Sequence, residues 1–221
     1  MYLSRLILNP RSRQVQGEVG KPYQLHRTLL THGFGTTREA SGVLYRLDLD
    51  RQGITVLVQS LVEPDWQGLL TVGQGQYLLA PPPAPKTFEA TFAQGRRFYF
   101  RLRANPTVKK AREEKRQGNR VPLKHEAQQI AWLHRKGAQG GFRVLDVRAS
   151  QDEEQRDRIR HEQNHERDER GSETSHTLTL YTVQFDGLLE VTDTERFREA
   201  VRSGIGPAKA FGCGLLSLAR A

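Results

Sequence analysis

The sequence predicts an α+β protein made of two consecutive β-α-β-β-α-β units. Three observations carry that expectation. The order of strand-period and helix-period segments runs through once and then returns. A proline tract at 81–85, PPPAP, falls between the two passes. The length, 221 residues, suits two domains of about 100 residues each.

The elements follow in chain order. Residues 2–8, YLSRLIL, read as the first strand. In 22–35, PYQLHRTLLTHGFG, apolar residues recur at helical spacing; Pro22 suits a first turn, where its missing N–H costs nothing, and Gly33 and Gly35 stand past the end. VLYRLDLD (43–50) and ITVLVQS (54–60) alternate on either side of Asp50 to Gly53, the pattern of a hairpin. A short helix over 65–70 and a strand at QYLLA, 76–80, close a first domain spanning 1–85. The PPPAP tract cannot enter a helix or a central strand, so it reads as a stiff linker. The second domain, 86–221, repeats the order: strand 96–104, helix 123–136, strands 142–149 and 176–185, helix 194–204 and a terminal strand at 214–219. This order is the ferredoxin-like, or RRM-like, unit. Its sheet is a frequent RNA platform, although a fold alone proves no function.

Composition narrows the partners. Thirty-four Lys and Arg against 25 Asp and Glu give a net charge of +9 and a pI near 10.0, a surface that favours a polyanion, nucleic acid first. No apolar run approaches the roughly 18 residues of a membrane span, and MYLSRLILNP lacks a signal-peptide h-region; a cytoplasmic protein with no membrane partner is expected. The single cysteine, Cys213, excludes an internal disulfide and a cysteine-rich zinc knuckle. Between two glycines it reads as a small buried side chain.

Residues 161–165, HEQNH, match the H-E-x-x-H pattern, in which a helix would hold His161 and His165 on a metal and Glu162 would deprotonate a bound water. The surroundings argue against it. QDEEQRDRIRHEQNHERDERG, 151–171, carries eight acidic residues, five arginines and one large aliphatic side chain, Ile159. Such a segment has no apolar back face to hold ligands rigid, and it lacks the H-x-x-G-x-x-H extension. A loop or hairpin with no metal and no cofactor is expected. Arg156, Arg158 and Arg160 are spaced two apart, so on an extended strand they share a side and could track a phosphate backbone; a solvated charge run would look the same.

Three further stretches carry candidate chemistry. The run 105–124 holds seven cations, Lys109, Lys110, Arg112, Lys115, Arg116, Arg120 and Lys124, against two glutamates, the clearest basic patch on the chain. GIGPAKAFGCG, 204–214, sets four glycines around Lys209, a composition that exposes backbone N–H groups to an anion or makes a tight turn. Arg101 and Arg103 alternate on the strand before the basic run and join the candidate RNA-binding residues. In YQLHR, 23–27, Tyr23 and His26 are three apart and share a helix face. Lys21 and Arg27 stand close enough to hold a phosphate. Histidine is the usual general base near neutral pH, yet a surface histidine beside a packed tyrosine would read alike.

YLSRLILNP, YQLHRTL, FYFRLRANPTVKK, RVPLKHEAQQIAWLHRKGA and the ending GIGPAKAFGCGLLSLA together resemble the CasE family, the CRISPR-repeat RNA endonucleases of the type I-E Cascade complex. The likeness covers both ends and the middle, with 30–95 and 150–175 more loosely patterned. It implies two ferredoxin-like domains, binding of the stem-loop of CRISPR repeat RNA, and one metal-independent cut at the base of the stem. It also implies that the product stays bound and that other Cascade subunits are partners. The family's catalytic histidine and neighbouring tyrosine fall on His26 and Tyr23. Its basic RNA-gripping hairpin falls on 151–175, whose acid content departs from the family pattern. The implied chemistry is attack by the RNA's own 2'-hydroxyl, leaving a 2',3'-cyclic phosphate and a 5'-hydroxyl. A noncatalytic RNA-hairpin-binding subunit is the alternative, since it needs the charge and the fold but neither Tyr23 nor His26.

Overall fold

The structure is a computed structural model that describes residues 1–35, 41–51, 53–82, 84–88, 91–112, 115–151, 155–159 and 176–221. For 110–112, 115–119, 151, 155–159 and 176–179 the description is of the backbone. Two four-stranded antiparallel sheets, each with helices on one face, account for the architecture.

The first sheet has the order β2-β3-β1-β4, from β1 (Tyr2–Leu8), β2 (Leu44–Asp50), β3 (Gly53–Ser60) and β4 (Lys86–Thr87). Ser4, Leu6 and Leu8 on β1 turn inward, and Leu6 and Leu8 join Leu25 and Leu29 of α2 (Pro22–Gly33) in one core. The period-2 and period-3.6 apolar stripes meet there, which is why this segment order folds in layers. Gly53 donates its N–H to Asp50 Oδ1 at 3.1 Å and adopts a φ of 136°, the turn expected between β2 and β3.

The second sheet has the order β12-β5-β11-β8, from β5 (Arg97–Ala104), β8 (Phe142–Gln151), β11 (Val183–Val191) and β12 (Leu216–Arg220). Numbered within its own unit, each sheet reads 4-1-3-2, so the two units share one ferredoxin-like topology. Phe98, Phe100 and Leu102 of β5 pack with Trp132 and Leu133 of α3 (Glu126–Gln139) and Phe197 and Val201 of α4 (Thr194–Ser203). Asp193 caps α4 by accepting the Arg196 N–H at 3.0 Å.

Two hairpins are inserted into the second unit. β6 (Thr107–Arg112) pairs with β7 (Lys115–Pro122) between the first strand and its helix. β9 (Gln155–Ile159) pairs with β10 (His176–Leu180) between the second and third strands. The basic run 105–124 thus contains a strand pair, which its polar composition did not announce. The predicted strand 176–185 is two strands, split at Tyr181 and Thr182, because its halves serve different sheets.

The first unit departs from expectation in four places. Arg13–Val19 forms a short helix, α1, that the polar sequence RQVQGEV did not announce. The predicted helix 65–70 is a 3₁₀ turn, Trp66–Leu70. The expected strand 76–80 is reduced to a bridge between Leu78 and Leu8. Gly73 and Gln74 bend the chain at positive φ just before it, and the prolines after it supply no N–H to extend pairing. The strand that completes the sheet lies beyond the tract, at Lys86–Thr87, paired with Tyr2 and Leu3. Gly33, placed past the helix end by the sequence, is its last residue; a Cβ there would strike the Trp66 ring, so glycine is what lets the ring seat.

A buried carboxylate ties the first unit together. Glu18, on α1, accepts from Tyr77 Oη at 2.6 Å, Thr28 Oγ1 at 2.8 Å and Gln14 Nε2 at 2.9 Å. Burial, then the Glu18 charge, pushes the Tyr77 hydroxyl far above its ordinary value, so it remains a donor.

The two units bond to each other directly. Arg46 on β2 grips Asp48 with two bonds of 2.8 and 2.9 Å and donates to Ser217 Oγ of β12 at 2.5 Å. Gln59 of β3 donates to the Val201 carbonyl of α4 at 2.8 Å, satisfying one of the acceptors a helix end leaves open. Removing Arg46 by alanine should lower unfolding free energy by about 2 kcal/mol, less than a fully buried pair because Asp48 is 25 % exposed. Urea melts of the two proteins measure it, and an unchanged midpoint would mean the bridge contributes nothing.

Candidate functional site

The first turn of α2 presents the candidate catalytic pair. Pro22 opens the helix, and the Lys21 carbonyl accepts the N–H groups of Gln24 and Leu25 at 2.9 and 3.3 Å. With Leu25 and Leu29 committed to the core, Tyr23 and His26 fall on the neighbouring stripe. His26 is 4 % exposed, its ring stacked on Tyr45 of β2 at 5.9 Å between centroids and 12° between planes. Tyr23 is half-buried and stacks on Phe211 at 5.7 Å and 29°. The Tyr45 hydroxyl donates to the Pro22 carbonyl at 2.6 Å and lies 3.4 Å from the Ala210 carbonyl.

The pair therefore sits at a seam, with its helix in the first unit and its lid in the second. A stacked imidazole keeps one orientation, as proton transfer requires. Lys21 and Arg27 are exposed on the same turn. The backbone of β9, which carries Arg156 and Arg158, comes within 8 Å of α2 between Cα atoms. That brings the inserted hairpin to the helix that carries the candidate pair. Arg160 and HEQNH lie outside the described residues. Among the described residues, no three His, Cys, Asp or Glu side chains gather to hold a metal ion.

The glycine-rich loop supplies the lid. Gly204, Gly206, Gly212 and Gly214 all take positive φ, and so does Ala208 at 63°. These turns fold the loop back on itself, with Ile205 N–H on the Gly214 carbonyl and Gly214 N–H on the Arg103 carbonyl, at 2.9 and 2.8 Å. Part of the backbone polarity expected to face an anion is thus spent inside. What the loop offers outward is Lys209, whose Nζ donates to the Ser203 carbonyl at 2.5 Å, and Phe211. Cys213 is buried, as its glycine neighbours suggested.

Beside the loop lies a cleft of about 420 Å³ lined by Lys109, Arg120, Arg135, Lys136 and Lys209 together with Thr107, Trp132 and three loop residues. None of its lining residues is acidic. Lys109 and Arg120 face each other across the β6–β7 ladder, so the basic run and the glycine-rich loop, far apart in sequence, meet here. Lys110, Lys115 and Arg116 belong to the same hairpin backbone. Arg101 and Arg103 do not join it. Arg101 is paired with Asp186 at 2.6 Å, a bond that raises its affinity for its proton, and Arg103 donates to Thr182 Oγ1 at 3.4 Å. The sequence reading missed Arg135, Lys136, Tyr45 and Phe211. For the two cations the signal was present in HRK at 134–136, but cations near a helix C-terminus are expected from the dipole alone.

Residues 1–220 match the family model described as CRISPR associated protein. The chain belongs to that family. Among its CRISPR-associated relatives, the endoribonuclease Cse3 of Thermus thermophilus is 39 % identical, over 99 % of this chain and 100 % of Cse3. The Cascade subunit CasE of Escherichia coli is 35 % identical, over 99 % of each chain. A solved structure of Cse3 bound to a 19-nucleotide RNA superposes with a TM-score of 0.81 at 36 % identity, covering 99 % of this chain and 100 % of that one. The double ferredoxin-like architecture of this CRISPR-associated protein is thus one that has been seen holding RNA. No helix among the described residues is long and apolar enough to cross a membrane.

Proposed function

We propose that this protein is a metal-independent endoribonuclease. It binds the stem-loop of CRISPR repeat transcripts, cuts at the base of the stem, and stays on the product as a subunit of Cascade in the cytoplasm. The carrying observation is the juxtaposition at the seam: a clamped His26 and Tyr23 under the loop that leads into an acid-free basic cleft. Full-length similarity to the Cse3 endoribonuclease and the Cascade subunit CasE supports the same reading. In this reading residues 1–85, whose sheet is completed by the edge strand Lys86–Thr87, form the domain with the catalytic helix, and the chain beyond that strand, to 221, forms the domain that grips RNA.

The RNA supplies its own nucleophile. The ribose 2'-oxygen bonds to the adjacent phosphorus while the bond from phosphorus to the 5'-oxygen breaks. One proton leaves the 2'-hydroxyl and one arrives on the departing 5'-oxygen, so the products are a 2',3'-cyclic phosphate and a 5'-hydroxyl. His26 carries out one of the two proton transfers. Tyr23 orients the ribose or phosphate from the same helix face. Lys21, Arg27 and an arginine of the 156–160 stretch neutralise charge that builds on the phosphorane, where preorganised cations count most. Lys109, Lys110, Lys115, Arg116, Arg120 and Lys209 hold the stem's backbone.

Cleavage of a labelled repeat hairpin in excess EDTA tests this directly. Full cleavage is expected, with a cyclic phosphate on the upstream fragment and no stoichiometric zinc in the purified protein. Binding without cleavage would favour the noncatalytic hairpin-binding subunit, and loss of activity that zinc restores would return attention to His161 and His165.

A further inference from the structure

We infer that Arg135 and Lys136, at the C-terminal end of α3, form the outer wall of a clamp for the RNA strand running to the cut phosphate. The inference rests on the endonuclease reading above and deepens it. Five of the ten residues lining the cleft are cations, and they come from three separate elements: the β6–β7 hairpin, α3 and the glycine-rich loop. Bringing like charges together from distant parts of the chain is unfavourable without an anion between them, so the convergence is itself a mark of a ligand.

A single small anion does not account for it. One phosphate is typically held by a bidentate arginine or a few N–H groups. Five charges spread over about 420 Å³ fit a chain of phosphates instead. The helix dipole explains less than the whole. Lys136 lies in the last turn and donates to Gln139 Oε1 at 3.3 Å, a position any helix end favours. Arg135 is exposed, and among the described residues no carboxylate pairs with it.

Continuity with the catalytic pair identifies the strand. Lys209 lines the cleft, and two residues on Phe211 stacks on Tyr23. A backbone lying between α3 and the hairpin therefore leads along the loop to the seam where His26 sits. Thr107 and Trp132 complete a lining dominated by cations suited to phosphate. The clamp is thus a sequence-independent register device, setting which phosphate arrives at His26.

Arg135→Gln with Lys136→Gln tests the clamp. Both changes keep helix propensity, so the fold should survive, and thermal unfolding checks that it does. Affinity for a repeat hairpin is measured from 50 to 200 mM salt. The double variant should bind more weakly, and its plot of log affinity against log salt should be shallower by about two, one for each phosphate that is no longer neutralised. An unchanged slope on a folded protein overturns the clamp. An unchanged RNA slope together with failed Cascade assembly would assign the cleft to an acidic protein partner instead. A wild-type chain that binds with the steeper slope yet never cuts would sink the endonuclease reading and leave the clamp standing. A wild-type chain that binds no RNA would sink both.

Discussion

Replacing His26 with alanine should slow cleavage of a repeat hairpin by about 10² to 10⁴-fold and change hairpin affinity little, because a proton-transfer group acts in the transition state. The structure adds a control. His26 is buried against Tyr45, so alanine also leaves a void beneath that ring, and a loss of activity could come from a shifted lid. Glutamine fills much of the space without titrating near neutrality. His26→Gln should therefore restore thermal stability and not the rate. Single-turnover cleavage with saturating enzyme separates the two effects, and a rate near wild type in either variant removes His26 from the chemistry. Tyr23→Phe should cost less, since the stack on Phe211 survives and only the hydroxyl is lost.

The second large effect should be on stability. Glu18→Ala removes the acceptor shared by Tyr77, Thr28 and Gln14. Buried donors left without partners cost about 1 to 3 kcal/mol each at most, and the exposed end of the network can turn to water. A net loss of about 3 kcal/mol is expected from urea melts. Such a drop is a large fraction of a domain's margin. A loss under about 0.5 kcal/mol would mean water replaces the carboxylate at no cost. The same node sets an alkaline limit. Tyr77 has its proton affinity raised by folding, so its contribution is whole below the unfolded value of 10.0. Above that pH the unfolded chain alone gives up the proton, and stability falls as pH rises further. Tyr77→Phe should flatten this alkaline limb.

Much of the architecture was legible because it is written in local periods. The alternation of 2–8, 43–50 and 54–60, and the helical stripe of 22–35, are properties of neighbours in sequence. Their repetition after 96 was enough to imply the 4-1-3-2 sheets. What stayed hidden depends on distant partners. QYLLA has the composition of a strand, yet whether it pairs is decided by β1, which takes Lys86–Thr87 as its edge instead. The β6–β7 hairpin is largely polar, and only its cross-strand ladder distinguishes it from a loop. The candidate pair was legible for a related reason. Tyr23 and His26 are three apart on one helix, whereas Tyr45 and Phe211, which fix their rings, come from segments whose proximity no sequence period encodes.

The seam between the units has a consequence for the life of the chain on the ribosome. Tyr23 and His26 precede β2 and β3 and can fold with the first sheet, but Ala210, whose carbonyl faces the Tyr45 hydroxyl, and Phe211, which stacks on Tyr23, are translated only after α4. At about 5 to 20 residues per second, many seconds separate the two. Through that interval the growing polypeptide already carries the cations of the β6–β7 hairpin. It can gather RNA by charge, yet its histidine lacks the lid that orients a strand. On the proposed function, cleavage waits until that loop has been made, so transcripts crowded around a translating ribosome meet a polycation before they meet an enzyme.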